Sequence, residues 1–477
     1  MNSQSIDKTA IAVAELTATV LGCPLKAMVQ ATTEADFNTL AIQYLGEPLV
    51  NAEGEPRAPR SREISVIIAD HFLAKLEATR SGIAKINGQL HLYFTDHWQV
   101  VGNSELEKAL GDFAQALGHR VSDSRHFRFR VELKAQLEAV SPHLKQSPGS
   151  IAVNFKNGTL RFDGQKETMT EHDHADGFTY VLPFNFDPNA KSPLFDGYLA
   201  RVLPDLECRT VLLEFLGWSF LPGLKLEKML VLHGSGHNGK SVLFDVTKAL
   251  FGEANISSLS LSSLRAPESR HPLLGKLLNY GSELGGNVSP DILKLASSGE
   301  PMEFRKLYGD IFTSSNYARL AFNTNTLPIE TEITEGYFRR FQIIPFEESI
   351  SQEEKDPDLA HKLIENELAG VMNRVLEGMR RVRIQRKFSP CQKSDECLQT
   401  YQLESDSVAQ FLDDENWKSD PVERVAKGEF YRFYTDYCKD SGFHALGVKN
   451  FSSRLKSHYR IAEKKSGRVR SWMIRQV

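Results

Sequence analysis

A glycine-rich segment in the middle of the chain constrains the fold more than any other feature. Residues 234–241 read Gly-Ser-Gly-His-Asn-Gly-Lys-Ser and match the pattern G-x-x-x-x-G-K-[ST] at every fixed position. The apolar stretch 226–233 predicts a strand before the segment, and residues 241–251 predict an amphipathic helix after it. A loop between a strand and a helix start can turn its backbone N–H groups toward phosphate oxygens. The segment therefore predicts a nucleotide-binding site on an α/β core.

The chemistry of this loop assigns its residues to ATP and Mg²⁺. The Lys240 ammonium can reach the β- and γ-phosphates as a point charge, and the Ser241 hydroxyl can ligate Mg²⁺. A glycine turn with no ligand is the alternative, which the flanking strand and helix make less favourable. The expected nucleotide contacts are Gly234, Gly236, Asn238, Gly239, Lys240 and Ser241.

Two later strands are predicted to end in side chains that ATP hydrolysis requires. Glu283 ends the stretch 276–283 and is the candidate general base, with a solvated glutamate as the alternative. Asn325 ends the stretch 319–325, where an amide can orient the attacking water or sense the γ-phosphate. Asn323, two residues earlier on the same face, is a weaker candidate.

A pair of arginines, Arg339 and Arg340, precedes the predicted strand 342–346. An arginine at this point could reach the γ-phosphate of a neighbouring subunit and stabilise the charge that develops during phosphoryl transfer. For either residue alone, the alternative is a surface salt bridge.

The order of these motifs resembles that of superfamily 3 helicases, an AAA+ subclass found in small DNA viruses, satellite phages and plasmids. It is most similar to the poxvirus-type and satellite-phage primase-helicase C-terminal family. The likeness covers about residues 85 to 350. It is carried by the stretches IAVNFKNGTL, PLFDGYLARVLPDLE, LLEFLGWSFLPG, GSGHNGKS, SGEPMEFRKLYGDIF, LAFNTNTLPI and GYFRRFQIIPFEE.

The resemblance implies catalytic residues at matching positions. Glu283 matches the acidic second motif, Asn325 the sensor asparagine, and Arg339 and Arg340 the arginine pair, with Arg340 favoured as the finger. Many P-loop enzymes carry an aspartate before the catalytic acid to hold Mg²⁺, whereas Ser282 stands there in this chain. Glu283 is therefore expected to serve the metal, the water, or both.

The resemblance also implies a ring whose channel holds one DNA strand, and a nucleotide site completed by a neighbouring subunit predicts that the ring is a hexamer. The segment 302–318 matches the position of the pore hairpin, with Arg305, Lys306 and Tyr308 near its tip. Cations there would neutralise phosphates, and the tyrosine could stack on a base. An ordinary exposed basic hairpin is the alternative.

Length and patterning predict a multidomain α/β protein of 477 residues. Residues 90–101 and 151–162 predict β-hairpins, the second around the Asn157-Gly158 turn, and residues 104–117 and 129–140 predict helices. The expected domains are a helical region (1–84), an α+β lead-in domain (85–200), an AAA+-like P-loop ATPase core (201–385), and a linker with a winged helix (386–477).

The C-terminal segment is basic, although the whole chain has a net charge of −4. Residues 423–477 contain 13 Lys/Arg and five Asp/Glu, whereas the rest contains 44 and 56. Two helices (428–441 and 448–459) and a hairpin around Ser466-Gly467 are typical of a winged helix, in which one helix enters the major groove and the wing contacts the backbone. The alternative is a winged helix that docks on protein. The candidate DNA contacts are Lys449, Arg454, Lys456, Lys464, Lys465, Arg468 and Arg470.

The aromatic stripe of the first of these helices is expected to be core. It consists of Phe430, Phe433, Tyr434 and Tyr437.

Composition argues against membrane and secreted classes. No apolar run approaches 18 residues, and the start MNSQSIDKTA lacks the charge and apolar pattern of a secretory signal. The five cysteines are expected to be reduced thiols without a metal, as in a cytoplasmic protein.

These features predict an ATP-dependent DNA helicase for replication of a phage, plasmid or other mobile element. The expected partners are DNA, five further copies of the chain, and a separate primase or initiator. One alternative is an ATP-switched initiator that binds DNA without unwinding it. Another is a primase-helicase with N-terminal primer synthesis, for which Asp173 and Asp176 are the only candidate metal ligands.

Overall fold

The computed structural model describes residues 25–86, 88–144, 151–164, 166–284, 290–305, 311–328, 335–467 and 469–477. The predicted DNA contacts Lys306, Tyr308 and Arg468 lie outside these residues, as does Cys23. The chain divides into two compact units, Met1–Phe186 and Asp187–Val477. None of the described helices is long and apolar enough to cross a bilayer.

The first unit combines a helical layer with two small antiparallel sheets. Strands β1–β2–β3 form one sheet and β4–β5–β6 the other. Helices α2, α3 and α5 pack around a core that includes Phe72, Leu110, Phe113 and Leu133. The elements are α1 (Phe37–Leu45), α2 (Ser61–Ala78), β1 (Gly82–Ile86), β2 (Gln89–Tyr93), β3 (Trp98–Val100), α3 (Asn103–Ala116), α4 (Val121–Arg125), α5 (Phe127–Val140), β4 (Ile151–Phe155), β5 (Gly158–Asp163) and β6 (Lys166–Thr170).

The two hairpins predicted in this unit are confirmed. The second turns at Asn157-Gly158, where Phe155 pairs with Gly158. Gly158 has a φ of 135°, and a Cβ atom there would lie 2.4 Å from the Thr170 carbonyl oxygen. The turn therefore requires glycine, because any side chain would collide with the backbone of β6.

The second unit contains a five-stranded parallel sheet between helices. The strands run in the order β13–β7–β12–β9–β8, and each neighbouring pair is parallel. The elements up to the end of this core are α6 (Pro193–Val202), α7 (Leu206–Trp218), β7 (Met229–His233), α8 (Lys240–Phe251), β8 (Ile256–Ser257), α9 (Pro267–Arg270), β9 (Leu278–Gly281), α10 (Pro290–Ser298), β10 (Met302–Arg305), β11 (Ile311–Ser314), β12 (Arg319–Thr324), α11 (Glu335–Phe338), β13 (Phe341–Pro345), α12 (Leu359–Asn366), α13 (Leu368–Gln385) and α14 (Gln392–Ser405).

The central strands are buried along their lengths, which explains their apolar sequences. All five residues of β13 are buried, as are four of the five in β7. Strands covered on both faces read as continuous apolar runs rather than alternating ones. Strands β10 and β11 lie apart from this sheet and form an antiparallel hairpin, as the resemblance implied.

Helix α14 was not predicted, because its sequence QKSDECLQTYQLES is mostly polar. It packs against β13, and the Gln342 amide donates to the Ser394 hydroxyl at 2.6 Å. Only Ser394, Tyr401 and Ser405 of this helix are buried. Such a narrow contact face leaves little apolar periodicity in the sequence.

The C-terminal part of this unit has its own apolar core. The two predicted helices and the hairpin at Ser466-Gly467 are confirmed, and Phe451 and Leu455 of the second helix are buried. Strands β15–β17–β16 form one small sheet, and β14 pairs with β18. The elements are α15 (Ser407–Asp414), β14 (Trp417–Ser419), β15 (Val425–Ala426), α16 (Lys427–Asp440), α17 (Val448–Ser457), β16 (Glu463–Ser466), β17 (Val469–Trp472) and β18 (Ile474–Gln476).

The aromatic stripe of α16 needs one correction. Phe430 and Tyr434 are buried, but the expectation that Phe433 is core is wrong, since it is 41% exposed. Its ring stacks on Trp417 at a centroid distance of 6.0 Å, outside the main contact face of the helix.

Candidate nucleotide-binding site

The register of the parallel strands brings the sequence-predicted groups to one edge of the sheet. Thr324, the last residue of β12, pairs with His233, the last residue of β7. The glycine-rich loop and Asn325, which follow these two residues, therefore begin next to each other. On the other side of β12, Phe322 lies level with Gly281 of β9. Glu283, two residues beyond Gly281, therefore reaches the same edge. Carboxyl ends of parallel strands are where α/β proteins bind ligands.

The glycine-rich loop adopts backbone conformations that its glycines permit. Gly236 and Gly239 have φ values of 106° and 86°. A Cβ atom on Gly234 would lie 2.2 Å from the Asn238 amide nitrogen and 2.4 Å from the Phe346 carbonyl oxygen. The Asn238 amide in turn donates to that carbonyl at 3.0 Å. Asn238 thus joins the loop to the residue that follows β13. This contact gives Asn238 a structural role in the loop beside that of the glycines.

Lys240 begins helix α8 and is 7% exposed. Its ammonium donates to the Gly234 carbonyl at 2.7 Å and to the Asn238 side-chain oxygen at 3.1 Å. Burial lowers the pKa of Lys240, because taking the ammonium out of water disfavours its charged form. An anion at this loop would offset that desolvation.

The two asparagines at the end of β12 occupy different environments. The Asn323 side chain is buried and accepts a hydrogen bond from the Tyr280 hydroxyl at 3.0 Å. Asn325 is exposed at the edge of the sheet and lines the cavity beside the loop. Asn323 lines the same cavity, but its side-chain oxygen is already engaged by Tyr280, whereas Asn325 is exposed there.

A cavity of about 1020 Å³ collects these groups. Lys240, Ser241, Glu283 and Asn325 all line it, and Ser241 and Glu283 are exposed within the chain. Pockets that hold small molecules are usually of this order or smaller. A hydroxyl and a carboxylate are oxygen ligands of the kind that Mg²⁺ prefers.

One wall of the cavity was missed by the sequence reasoning. It is formed by residues 350–359 after β13, which include Ile350, Gln352, Lys355 and Leu359. The Ile350 amide donates to the His237 carbonyl at 2.9 Å, which joins this wall to the glycine-rich loop. Because most of this segment has neither helical nor strand periodicity, its position beside the glycine-rich loop could not be predicted from the sequence.

Helix α6 also supports the loop, a second feature that the sequence reasoning missed. The Tyr198 hydroxyl donates to the Gly239 carbonyl at 2.8 Å, and burial raises the pKa of Tyr198 far above its usual range. Arg201 forms ion pairs with Glu348 at 3.2 Å and Glu354 at 3.1 Å. Helix α6 thus holds both the loop and the 350–359 wall.

Arg339 and Arg340 lie at the opposite edge of the sheet, before the start of β13. A five-residue strand spans roughly 16 Å, so neither side chain is near the loop of its own chain. Both contact Glu227, Arg339 at 3.0 Å and Arg340 at 3.4 Å. The Arg339 side chain is 62% exposed and that of Arg340 10%.

The predicted DNA contacts within the described residues fall into two groups. Lys449, Lys464 and Lys465 are exposed, and no carboxylate of the described residues lies within ion-pair distance of them. Four others already have acidic partners. Arg305 pairs with Glu268, Arg454 with Asp406, and Lys456 and Arg470 with Glu463.

The candidate metal ligands of the first unit are engaged in local contacts. A single guanidinium nitrogen of Arg161, Nη2, donates to both oxygens of the Asp176 carboxylate, at 2.7 and 2.5 Å. Asp173 accepts the Ala175 amide at 2.9 Å and so begins a short helical turn. Both carboxylates therefore have a structural explanation.

Two cysteines that lie far apart along the chain are in contact in the structure. The sulfur atoms of Cys208 and Cys391 are 3.4 Å apart and both residues are buried. With Asp205 they form the one group of three potential metal ligands among the described residues. The grouping could not be predicted, because 183 residues separate the two cysteines.

The parallel sheet, the glycine-rich loop and the buried lysine at its carboxyl edge define a P-loop-like α/β core. Three family models match separate parts of the chain. Residues 69–204 match the model described as "D5 N terminal like", and residues 403–476 match "Poxvirus D5 protein-like". Residues 232–340, which include the loop, match a "Family of unknown function (DUF5906)".

Similar curated proteins come from large DNA viruses. "Putative helicase 121R" of Invertebrate iridescent virus 3 is 25% identical over 249 residues, which cover 48% of this chain and 26% of the viral protein. "Putative primase C962R" of African swine fever virus (strain Badajoz 1971 Vero-adapted) is 27% identical over 142 residues, which cover 29% of this chain and 14% of that protein. The matched regions are thus about a quarter and a seventh of the relatives' lengths.

Among solved structures, the apo NrS-1 C terminal region has a similar fold. The match has a TM-score of 0.50 and 12% identity, and it covers 84% of this chain and 98% of that one. The D5-type domain models and the viral relatives named helicase and primase support a primase-helicase family, as the sequence motifs predicted, and the NrS-1 likeness supports the fold.

Proposed function

We propose that this chain is the motor subunit of an ATP-dependent DNA helicase that acts in replication of a phage, plasmid or other mobile element. The observation that carries the proposal is the strand register at the carboxyl edge of the parallel sheet. It brings Lys240, Ser241, Glu283 and Asn325 to one cavity, although 85 positions separate the first from the last.

Each of these side chains has a task in hydrolysis of ATP. Lys240 binds the β- and γ-phosphates, for which its buried ammonium must release the loop carbonyl that it now contacts. Ser241 and Glu283 hold Mg²⁺, which when bound neutralises charge on the phosphates. Glu283 also accepts the proton of the attacking water, and Asn325 orients that water. Residues 350–359 cover the nucleoside, and Ile350, Pro357 and Leu359 supply the apolar contacts of this otherwise polar wall.

An arginine from a neighbouring subunit completes the site. The position of Arg339 and Arg340 at the far edge of the sheet supports this assignment, because neither can serve the nucleotide of its own chain. The resemblance favoured Arg340, but we assign the contact to Arg339, because its side chain is 62% exposed whereas that of Arg340 is only 10% exposed. Arg340 instead braces the start of β13 from within the chain. A site completed by its neighbour is a head-to-tail contact between subunits, and we propose that this contact closes into a ring of six.

The β10–β11 hairpin and the C-terminal module are the proposed DNA contacts. In β10, Met302 and Phe304 are buried while Glu303 and Arg305 are exposed, so the hairpin is anchored on one face and open on the other. In the C-terminal module, the order of two helices followed by a basic hairpin supports a winged helix. Exposed Lys449 on α17 and exposed Lys464 and Lys465 on β16 suit contacts with DNA phosphates.

Complementation between two inactive variants tests the composite site. Arg339→Ala and Lys240→Ala are each expected to lower ATP hydrolysis roughly 10³-fold. When the two variants are mixed, sites form in which an intact loop from one meets an intact arginine from the other. Activity is therefore expected to return. The matched control is Arg432→Ala, an exposed arginine of the C-terminal module, which should hydrolyse ATP like the native chain.

Either of two results would overturn this arrangement. Full activity of Arg339→Ala would remove that residue from the site, and a mixture as inactive as its components would exclude completion by a neighbour.

The second proposal for the chain, an ATP-switched initiator, also predicts nucleotide binding. It differs in predicting no unwinding of a forked duplex.

A further inference from the structure

A basic surface on the first unit has no part in the site described above. It is the junction of α4 and α5, formed by Arg120, Arg125, His126, Phe127 and Arg128, here called the α4–α5 patch. All five residues are exposed. Residues 119–131 contain four arginines and one acid, Asp123. The chain thus concentrates positive charge on one surface of an otherwise acidic body.

The arginines of the patch lack acidic partners. Among the described residues, no carboxylate lies within ion-pair distance of Arg120, Arg125 or Arg128. Arg125 reaches only the neutral Gln115 side chain, at 3.4 Å. The neighbouring Arg130 differs, because it donates to the Ser124 carbonyl at 2.9 Å and pairs with Asp112 at 3.5 Å. One arginine of this segment therefore braces the fold, and three remain free for an anion.

An aromatic ring stands among these cations. Phe127 is 66% exposed, although Phe129, two residues later, packs against the core of the unit. The Arg128 guanidinium lies 5.8 Å from the centroid of the Phe127 ring. Val121 and Val131 are also half-exposed, at 49% and 47%. Exposed apolar side chains grouped in this way indicate an interaction surface.

We propose that the α4–α5 patch binds single-stranded nucleic acid. The three guanidinium groups contact backbone phosphates, and an unpaired base stacks on Phe127, with Arg128 beside it. The aromatic ring favours a single strand over a duplex, because the bases of a duplex already stack on one another. The proposal goes beyond the helicase assignment, because it gives the first unit its own binding site for single-stranded nucleic acid. Binding at this site requires no ATP.

The test uses the full chain without nucleotide and a fluorescent oligothymidine whose anisotropy reports binding. A triple variant, Arg120→Ala with Arg125→Ala and Arg128→Ala, should weaken binding roughly 10- to 100-fold at 0.1 M salt, since each phosphate contact contributes about 0.7 to the slope of log affinity against log salt. The slope should fall by about 2. Phe127→Ala should weaken binding about fivefold or more and leave the slope unchanged.

A matched triple control removes the same charge elsewhere on this unit: Lys75→Ala, Lys156→Ala and Lys166→Ala. These lysines are also exposed. Equal affinity of the two triple variants would refute the proposal. It would also be refuted if the patch variant kept its affinity for oligothymidine but changed the mass of the assembly in sedimentation, since the surface would then be a subunit contact.

The outcome is independent of the proposed motor. The patch variant should keep the native rate of ATP hydrolysis without DNA, whereas Lys240→Ala should lose hydrolysis and keep patch-dependent binding.

Discussion

The carboxyl edge of the parallel sheet and the basic face of the C-terminal module both carry cations suited to phosphates, but they hold them differently. At the sheet edge, Lys240 is 7% exposed and two oxygen atoms of its own loop fix its ammonium. On the C-terminal module, Lys464 and Lys465 are exposed on strand β16, and within the part of the chain that the structure describes they have no acidic partner. The buried lysine suits contact with a phosphate in one fixed position. The exposed lysines suit contact with the phosphates of a flexible polyanion.

The difference has a physical reason. A cation that stabilises charge on a transferring phosphoryl group is most effective when water is excluded and its position is set beforehand. A cation that contacts a DNA backbone gains chiefly from counterion release, which needs exposure rather than precise placement. Substitutions should therefore abolish function at the sheet edge and weaken it by degrees at the C-terminal module.

The largest expected effect is that of Glu283→Gln at the sheet edge. Loss of the carboxylate should reduce turnover roughly 10²- to 10⁴-fold, because the amide cannot accept the proton of the attacking water. Binding of a fluorescent ATP analogue should be kept, since Lys240 remains. Glu253→Gln, an exposed acid after α8, is the matched control. Normal turnover in Glu283→Gln would mean that another residue is the general base.

A moderate effect is expected for Lys464→Ala combined with Lys465→Ala. Affinity for duplex DNA should fall several-fold, and the salt slope should fall by about 1.8, since each lost phosphate contact contributes about 0.9. Gel-shift titrations at several salt concentrations would measure both. Lys418→Ala with Lys439→Ala removes two other exposed cations of the module and should bind like the native chain. Equal losses in both pairs would mean that charge alone, without a defined surface, governs binding.

The smallest effect is expected at Glu463, which organises the base of the basic hairpin. Lys427, at 2.8 Å, and Lys456 lower the pKa of Glu463 to about 2. A carboxyl whose pKa falls on folding stabilises the native state above its unfolded value of about 4.5, and loses that contribution as the pH falls toward 2. The Tm of Glu463→Gln should therefore lie slightly below that of the native chain at pH 7.

Thermal melts across the acid range would follow this difference. The two chains should converge as the pH is lowered from about 4.5 to about 2. A difference that stayed constant over this range would mean that the Glu463 carboxylate is not the source of the stabilisation.

Much of the candidate nucleotide site could be predicted because its side chains lie at or just after the ends of buried strands. An apolar run followed by a polar residue marks such an end, and this pattern located Glu283 and Asn325. The wall at 350–359 and the support from Tyr198 could not be found in this way, because loop segments lack periodicity and the hydroxyl meets Gly239 from 41 residues away. Contacts between distant segments leave no local pattern.

The same limit explains the partly predicted C-terminal module. Its helices and hairpin follow from apolar spacing and the Ser466-Gly467 turn, but the exposure of Phe433 does not, since Phe430 and Tyr434 already fill the core face. Equally, the sequence offers seven candidate DNA-contacting cations in this module without indicating which of them are neutralised by acidic partners. Arg454 is held by Asp406 at 3.1 Å, an acid 48 residues earlier.

The central claim is that hydrolysis at the sheet edge drives movement on DNA. The most direct test compares ATP hydrolysis with and without single-stranded DNA, together with unwinding of a forked duplex, for the native chain, Lys240→Ala and the control Lys248→Ala. We expect DNA-stimulated hydrolysis and unwinding in the native chain and in Lys248→Ala, and neither in Lys240→Ala. Hydrolysis that is indifferent to DNA, with no unwinding by the native chain, would contradict the motor and favour the ATP-switched initiator.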